Sequence, residues 1–400
     1  MKKYRRGLEK NIILYYFFRI FNKRAYLPLI AIYAVSIADL NLAQFGLVAS
    51  ITAAVSLILE IPSGYVSDRM GHKKSLILGH GIMALSPLAY VVWPDFMGVL
   101  LGSAGYFGGY AFISGTSEAF LHETLMELDR ENEYNRIMGK SQAIGLSGNI
   151  ITIALVPLTY SIHPTFPFIL GALLVSTSFW LSFFLTTPRR TKKDAAELEE
   201  ISFLNLLKAL HANKQYLLFL FLGMLGASAD KINEFREIYF QALQIPVVYF
   251  GFILAVASFL AALVSYNIHR LEHLKENRYY ILSFLSLFLI TILSGLVENP
   301  WLGIILMVLL VIYNRNETTL TRGYLLRNSP TRELKATYIS TMAFADALMG
   351  IWIPLLIGYL STVYGIRHGY SYFGGFMILL AGVTFLLYLR AKKPSGLDLA

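Results

Sequence analysis

The sequence has no cysteine and few charged residues. Of its 400 residues, 15% are charged and 56% are apolar, whereas an average soluble domain has about 25% charged residues. The low charge excludes an ordinary soluble protein. The lack of cysteine excludes disulfides, thiolate metal sites and a cysteine nucleophile.

Signatures of enzymes and of nucleotide hydrolysis are missing as well. The chain has no Gly-x-x-x-x-Gly-Lys-Ser/Thr loop, no His-Glu-x-x-His and no Gly-x-Ser-x-Gly, and its eight histidines are scattered without metal-ligand spacing. We therefore expect no enzyme, no metal site and no cofactor. Any transport would draw its energy from a gradient.

Long apolar runs predict an all-α integral membrane protein with twelve spans, because a membrane helix needs about 20 mostly apolar residues. The runs form six spans in each half of the chain, and this predicts a first bundle over 1–187, a cytoplasmic linker over 188–214 and a second bundle with a short cytoplasmic tail over 215–400. The predicted spans are 11–35, 43–63, 75–93, 97–121, 137–160 and 166–187, then 215–242, 246–269, 279–297, 301–326, 335–362 and 370–390.

Among the connections between the predicted spans, those on one side of the membrane carry nearly all of the basic residues. By the positive-inside rule this places both termini in the cytoplasm and predicts a multi-pass protein of the cell membrane. The net charge of +9 is then mostly a matter of topology, with some attraction to anionic membrane lipid. No nucleic-acid partner is needed to explain it, and we expect a monomer.

The connection between the second and third spans reads GYVSDRMGHKK, residues 64–74. A glycine at position 64 permits close helix approach, one at 71 allows a tight turn, and the acidic residue at 68 suits the positive end of a helix or the adjacent arginine. This segment resembles the loop signature of the major facilitator superfamily, although His72 stands where a basic residue is usual. The residues that match, and that we assign to a gating motif, are Gly64, Asp68, Arg69, Gly71, Lys73 and Lys74.

The resemblance implies a secondary transporter with two six-helix bundles around a central cavity that opens alternately to either side. Drug–proton exporters of that family typically carry an Arg in span four and Gly-Pro in span five, and both marks are missing here. We expect proton-coupled export of a small amphipathic or drug-like compound. Uptake or exchange of an anionic metabolite is one alternative, and a membrane receptor that does not transport is another.

Polar residues within the spans are the candidate substrate site, because ionisable groups at membrane depth cost about 2.5–3.5 kcal/mol each on insertion scales. In span one, four polar residues follow the i, i+3, i+4, i+7 spacing of a single helical face, namely Arg19, Asn22, Lys23 and Tyr26. Snorkelling of the side chain to the membrane surface explains the position of Arg19 about equally well. In span ten, another arginine is placed to meet Asp346, an acidic ligand or a local partner. The predicted substrate residues are Arg19, Asn22, Lys23, Arg24, Tyr26 and Arg315.

Carboxylates within the spans are the candidate proton carriers. Asp230, Glu234 and Glu237 share one predicted helical face in span seven, and Asp346 lies near the middle of span eleven. We assign proton coupling to Asp230, Glu234 and Asp346, with pairing to Lys231 and Arg236 as the alternative for span seven. Glu60 and Glu118 lie near cytoplasmic ends and are assigned to a cytoplasmic gate, where they form ion pairs or are solvated at the ends of their helices.

Overall fold

The computed structural model describes residues 2–189, 215–267, 274–327 and 334–391, and within them every regular element is a helix. Most of the predicted linker, residues 190–214, lies outside the described residues. The first-half helices are α1 (Lys2–Phe21), α2 (Ile30–Ser36), α3 (Leu42–Met70), α4 (His72–Val92), α5 (Phe96–Ile113), α6 (Thr116–Glu127), α7 (Tyr134–Leu155) and α8 (Phe166–Phe183). Those of the second half are α9 (Tyr216–Glu234), α10 (Arg236–Ala242), α11 (Phe250–Tyr266), α12 (Glu276–Leu296), α13 (Pro300–Arg327), α14 (Leu334–Tyr364) and α15 (Ile366–Ala391).

All twelve predicted spans are helical, but three of them are broken. Span four divides at Ser114 and Gly115, where the φ of Gly115 is +58°. Span seven divides at Phe235, between α9 and α10. Span one divides around residues 22–26, so its prediction as one continuous helix is wrong. The physical reason is Pro28, which has no N–H for the carbonyl of Arg24 and crowds that carbonyl in an α-helix.

Within the described residues, nine helical segments are long and apolar enough to cross a membrane. The remaining three predicted spans, numbers one, seven and ten, carry most of the charges singled out above, although Asp346 lies in span eleven. The protein is therefore an all-α integral membrane protein, and its helices follow the predicted order of six and six. Because spans one, seven and ten contain more charged residues than the other nine, they are the first candidates for a substrate-binding site.

The chain forms two compact units, one of residues 1–196 with 246–255 and the other of residues 197–245 with 256–400. In the first unit, α4 packs closely on α5, because two glycines face each other there. A Cβ atom on Gly109 would lie 2.7 Å from the carbonyl O of Gly79. On the other side of this unit, Gly145 of α7 lies against α1, where a Cβ would be 2.9 Å from the carbonyl O of Arg19.

Candidate functional site

The break in span one places three polar residues, Asn22, Lys23 and Arg24, within a predicted membrane span of the first unit. Residues 22–26 leave the α-helix, and their backbone is held by shorter-range bonds, from Ala25 N to Lys23 O at 2.9 Å and from Leu27 N to Arg24 O at 2.8 Å. Backbone outside a helix is tolerated at membrane depth only where protein buries it or where it lines a water-filled cavity. The break is therefore a candidate binding site.

Arg24 projects from the break into a group of aromatic and hydroxyl side chains. Its guanidinium donates to Tyr90 Oη and to Ser103 Oγ, both at 3.2 Å. The guanidinium carbon lies 4.8 Å from the ring centre of Tyr106 and 5.2 Å from that of Phe107. Among the described residues, no carboxylate pairs with Arg24 and its Nε has no hydrogen-bond partner. This cation is thus held by rings and hydroxyls, and an anionic group can bind to it.

Asn22 is held from two directions. Its Nδ2 lies 2.8 Å from Nε2 of the fully buried His80, whose Nδ1 lies 2.6 Å from Ser182 Oγ on α8. The hydroxyl of Tyr106 donates to the backbone carbonyl of Asn22 at 3.0 Å. These contacts connect the break to α4, α5 and α8, and they fix its geometry inside the unit.

The remaining predicted residues of span one do not form one stripe. Arg19 still lies on α1 and pairs with Glu118 of α6 at 3.5 Å, while it donates to Tyr15 Oη at 3.0 Å. Lys23 is half-buried in the break, and Tyr26 is fully buried with its ring 5.3 Å from that of Phe168. The predicted single helical face is wrong, because the helix ends at residue 21. The structure joins a predicted substrate residue, Arg19, to a predicted gate residue, Glu118.

In span seven the carboxylates are paired locally. Lys231, which is 9% exposed, lies 3.3 Å from Asp230 Oδ2 and 2.9 Å from Glu234 Oε1. Glu237 belongs to α10 rather than α9, so the predicted common face is wrong for it, and it pairs with Arg236 instead. The alternative of a paired network in span seven therefore describes the observed contacts.

Asp346 of α14 has a carboxyl neighbour that the sequence left unassigned. Both Asp346 and the buried Glu317 of α13 lie next to Gly226 of α9, where a Cβ would be 2.5 Å from Asp346 Oδ1 and 3.9 Å from Glu317 Oε2. Thr321 donates to Glu317 Oε1 at 2.6 Å. Asp346 Oδ1 is buried and has no hydrogen-bond partner within the described ranges. The carboxyl groups of Asp346 on α14 and Glu317 on α13 therefore lie close together beside Gly226.

Arg315 does not meet Asp346. It is exposed on α13, and the structure gives it no ion pair within the described residues. Residues two positions apart on an α-helix point about 200° apart, so the buried side of α13 presents Glu317 while Arg315 points away from it. The predicted Arg315–Asp346 contact is therefore wrong.

The loop motif connects the ends of several helices of the first unit. Gly71 joins α3 to α4 with a φ of +87°, which confirms the predicted tight turn. Lys73 Nζ donates to the carbonyl O atoms of Phe183 and Leu185, at 2.8 and 2.7 Å, and so closes the end of α8. His72 lies between Ser67 Oγ at 2.8 Å and Glu123 Oε1 at 3.1 Å. The unusual residue of the motif thus connects α3 and α4 to α6.

Other motif residues have simpler surroundings. Gly64 is exposed, and a Cβ on it would meet no atom within 4 Å among the described residues, so the predicted close helix approach is wrong there. Arg69 lies with its guanidinium carbon 4.8 Å from the Tyr65 ring. The side chain of Asp68 lies outside the described part of the chain. Lys74 of α4 and Glu60 of α3 are exposed.

A sequence model of the Major Facilitator Superfamily matches residues 12–314, which is more than half of the chain. The protein belongs to the Major Facilitator Superfamily. It is 23% identical over 382 residues to the uncharacterized MFS-type transporter YxaM of Bacillus subtilis (strain 168), a match that covers 93% of each chain. Its fold resembles that of the nucleoside transporter NupG, with a TM-score of 0.73, 18% identity and coverage of 95% of this chain and 99% of that one.

A bacterial homologue of the human lysosomal transporter Spinster has the same fold, with a TM-score of 0.69, 15% identity and coverage of 98% of both chains. These likenesses are low in identity and establish the fold alone. Membership in the Major Facilitator Superfamily makes this chain a membrane transporter with a small-molecule substrate, and not an enzyme.

Sequence reasoning missed several residues of the site, namely His80, Tyr90, Ser103 and Tyr106 around span one, and Glu317 as a neighbour of Asp346. A histidine in the middle of an apolar span was a usable signal for His80. Glu317 was visible as part of a polar patch, but its distance from Asp346 depends on how α13 and α14 pack, which one sequence does not give.

Proposed function

We propose that this transporter carries a small amphipathic organic anion across the membrane by alternating access, with the break in span one as its binding site. The observation that carries the proposal is Arg24. It is a cation at membrane depth whose neighbours are hydroxyls and aromatic rings, with no acidic partner among the described residues.

A cation in this position is costly unless its charge is balanced. Charged groups at the membrane centre cost about 2.5–3.5 kcal/mol on insertion scales and normally pair with one another. The hydroxyls of Tyr90 and Ser103 satisfy part of the guanidinium, and the rings of Tyr106 and Phe107 add cation–π attraction. None of these groups carries a negative charge, so an anionic ligand supplies what the site lacks. The same rings favour an apolar or aromatic body on the ligand.

We propose further that protons drive the transport and that Asp346 carries them together with Glu317. The support is their shared space beside Gly226 and the unpartnered Asp346 Oδ1. Asp230 and Glu234 then serve to hold Lys231, which they contact. Export stays our prediction for the direction of transport, with uptake or exchange as the alternative.

We place the protein in the cell membrane as a monomer, with both termini in the cytoplasm. This topology rests on the concentration of basic residues at one set of connections. Lipid contact is supported by large apolar side chains that point outward from the helices, such as Leu85 at 68% exposure and Leu379 at 70%.

Binding to purified protein tests the anion proposal. The probes are a panel of aromatic and aliphatic carboxylates, benzoate among them, each beside its uncharged amide. Ligands that bind the folded state raise the melting temperature. We expect carboxylates, but not their amides, to raise the melting temperature of the wild type. The Arg24→Gln variant loses this difference, and Arg24→Lys, which keeps the charge, retains part of it.

The matched control is Arg136→Gln, which removes an exposed arginine from α7. It should respond to carboxylates as the wild type does. Equal stabilisation by carboxylates and amides would refute the proposal, as would a full response of Arg24→Gln.

A further inference from the structure

Three buried polar atoms at the break have no hydrogen-bond partner among the described residues. They are Asn22 Oδ1, an acceptor, Arg24 Nε, a donor, and the hydroxyl of Tyr26. Asn22 and Arg24 both contact Tyr106, whose hydroxyl donates to the Asn22 carbonyl and whose ring lies beneath Arg24. Buried polar groups are nearly always hydrogen-bonded, so the exceptions at Asn22 and Arg24, both next to Tyr106, point to a ligand that satisfies these two groups.

The orientation of the Asn22 amide follows from a chain of hydrogen bonds. Ser182 Oγ donates to the carbonyl O of Ser178 at 2.7 Å, so its one hydrogen is already used. It therefore accepts from His80 Nδ1, 2.6 Å away. This requires a proton on Nδ1. Because the ring is fully buried, where an unpaired charge is costly, we take it as the neutral tautomer, in which Nε2 is an acceptor.

Asn22 must accordingly present Nδ2 to His80, at 2.8 Å. A rotated amide would place Oδ1 against the lone pair of Nε2, with no hydrogen between the two acceptors. Because His80 and Ser182 are both fully buried, water does not offer the ring another partner. The amide oxygen is thereby directed away from His80.

We infer that His80 is a positioning residue, which fixes the Asn22 amide so that its oxygen accepts a hydrogen bond from the substrate. The substrate then carries a hydroxyl or amine donor next to the anionic group that binds Arg24. This inference rests on the proposed anion site and narrows its substrate class to hydroxy or amino acids, in preference to unsubstituted acids.

A purely structural role for His80 would make a different prediction. The ring also packs on Phe18, with 4.8 Å between ring centres, and it links α1 to α4 and α8. If that packing were its whole role, replacing His80 would lower stability without changing which acids bind. Ligand preference and the protonation pattern of the ring therefore distinguish the two roles, and stability alone does not.

The first experiment is nitrogen NMR on protein labelled at its histidines, with the His80 signal assigned from its loss in His80→Gln. We expect the neutral tautomer with the proton on Nδ1, and we expect the Nε2 signal to shift in Asn22→Leu. A proton on Nε2, alone or in a charged ring, would turn the Asn22 oxygen toward His80. That result would overturn the inference whichever acids bind to the protein.

The second experiment compares 3-phenylpropionate with 3-phenyllactate, which differ by one hydroxyl group. Apparent dissociation constants come from the concentration dependence of the melting temperature. We expect wild-type protein to bind the hydroxy acid roughly two- to tenfold more tightly, the contribution of one hydrogen bond. In Asn22→Leu and His80→Phe the two acids should bind equally. Arg24→Gln should bind neither.

The control is His163→Phe, which replaces an exposed histidine whose ring, among the described residues, forms hydrogen bonds to Thr165 of its own loop and to no other residue. It should keep the preference for the hydroxy acid. Equal binding of the two acids by the wild type, or a preference that survives in Asn22→Leu, would overturn the inference while leaving the anion site intact. If neither acid binds the wild type and no carboxylate of the wider panel does, the proposed function fails and the substrate class fails with it.

Discussion

The two lysines at the start of α4 offer a sharp test of how the loop motif stabilises the first unit. Lys73 donates to two carbonyls at the end of α8, at 2.8 and 2.7 Å, whereas its neighbour Lys74 is exposed and has no hydrogen bond or ion pair among the described residues. The variants Lys73→Met and Lys74→Met remove the same charge from adjacent positions. Only the first removes contacts to another helix.

The expected magnitude follows from those contacts. A hydrogen bond from a charged group contributes about 1.5–3 kcal/mol, and the ammonium also favours the negative end of the α8 dipole by about 0.3–1 kcal/mol. Ordering a lysine side chain opposes this by about 1.5–2 kcal/mol. Because the bond to Phe183 is exposed to solvent, we expect Lys73→Met to lower the free energy of unfolding by about 1–2 kcal/mol.

Thermal unfolding in detergent, followed by tryptophan fluorescence, measures the effect. A loss of 1 kcal/mol corresponds to about 2–4 °C for a unit of this size, so Lys73→Met should melt several degrees below the wild type. Lys74→Met should melt within about 1 °C of it, because an exposed substitution away from any contact changes little. Equal melting temperatures for the two variants would refute the reasoning and leave the motif without this role in stability.

Two further predictions concern helix packing and proton coupling. Gly109→Ala places a Cβ 2.7 Å from the Gly79 carbonyl O and should lower the free energy of unfolding by about 1–3 kcal/mol. In Gly139→Ala the new Cβ meets no atom within 4 Å among the described residues, so this variant should raise the free energy of unfolding by about 0.5–1 kcal/mol. Melting curves of both variants check this prediction, and equal shifts in melting temperature would contradict it. In proteoliposomes, Asp346→Asn should abolish transport driven by a pH gradient but keep exchange of labelled for unlabelled substrate, while Glu298→Gln, at an exposed surface pair, should keep both. Unchanged pH-driven transport in Asp346→Asn would remove it from the coupling mechanism.

Much of the architecture was predictable because runs of apolar residues between charged and turn-forming breaks mark the candidate membrane segments. All twelve predicted spans are helical within the described residues, and nine helical segments there are long and apolar enough to cross a membrane. The breaks at Pro28 and Phe235 were not predicted, since the apolar residues on both sides of each break were read as one span. The left-handed turn at Gly71 was predictable, because a glycine between two strongly helical segments has few other roles. The open surroundings of Gly64 were not, since a glycine that serves close packing looks the same in sequence.

The sequence pointed to the break in span one as a candidate site, but it did not predict the geometry there. The cost of charge in lipid pointed to residues 22–26, and the structure indeed gathers polar groups there. The hydrogen-bond partners of Arg24 and Asn22 are 58–84 residues away in the chain, on helices whose rotation one sequence does not specify. For the same reason the sequence did not show that Glu317 lies near Asp346, and it suggested Arg315 as a partner of Asp346 instead.

The broken first span also has a consequence for how the protein is made. Residues 22–26 emerge from the ribosome before any of the groups that surround Arg24, because Tyr90, Ser103 and Tyr106 belong to the third and fourth spans. Until those spans arrive, the first span carries two adjacent cations and no helix through its middle, so it is a poor membrane segment by itself. We therefore expect its stable insertion to require α4 and α5. The residues of the proposed binding site would then also make the assembly of the first unit cooperative, because the first span becomes stable only after later spans have been made.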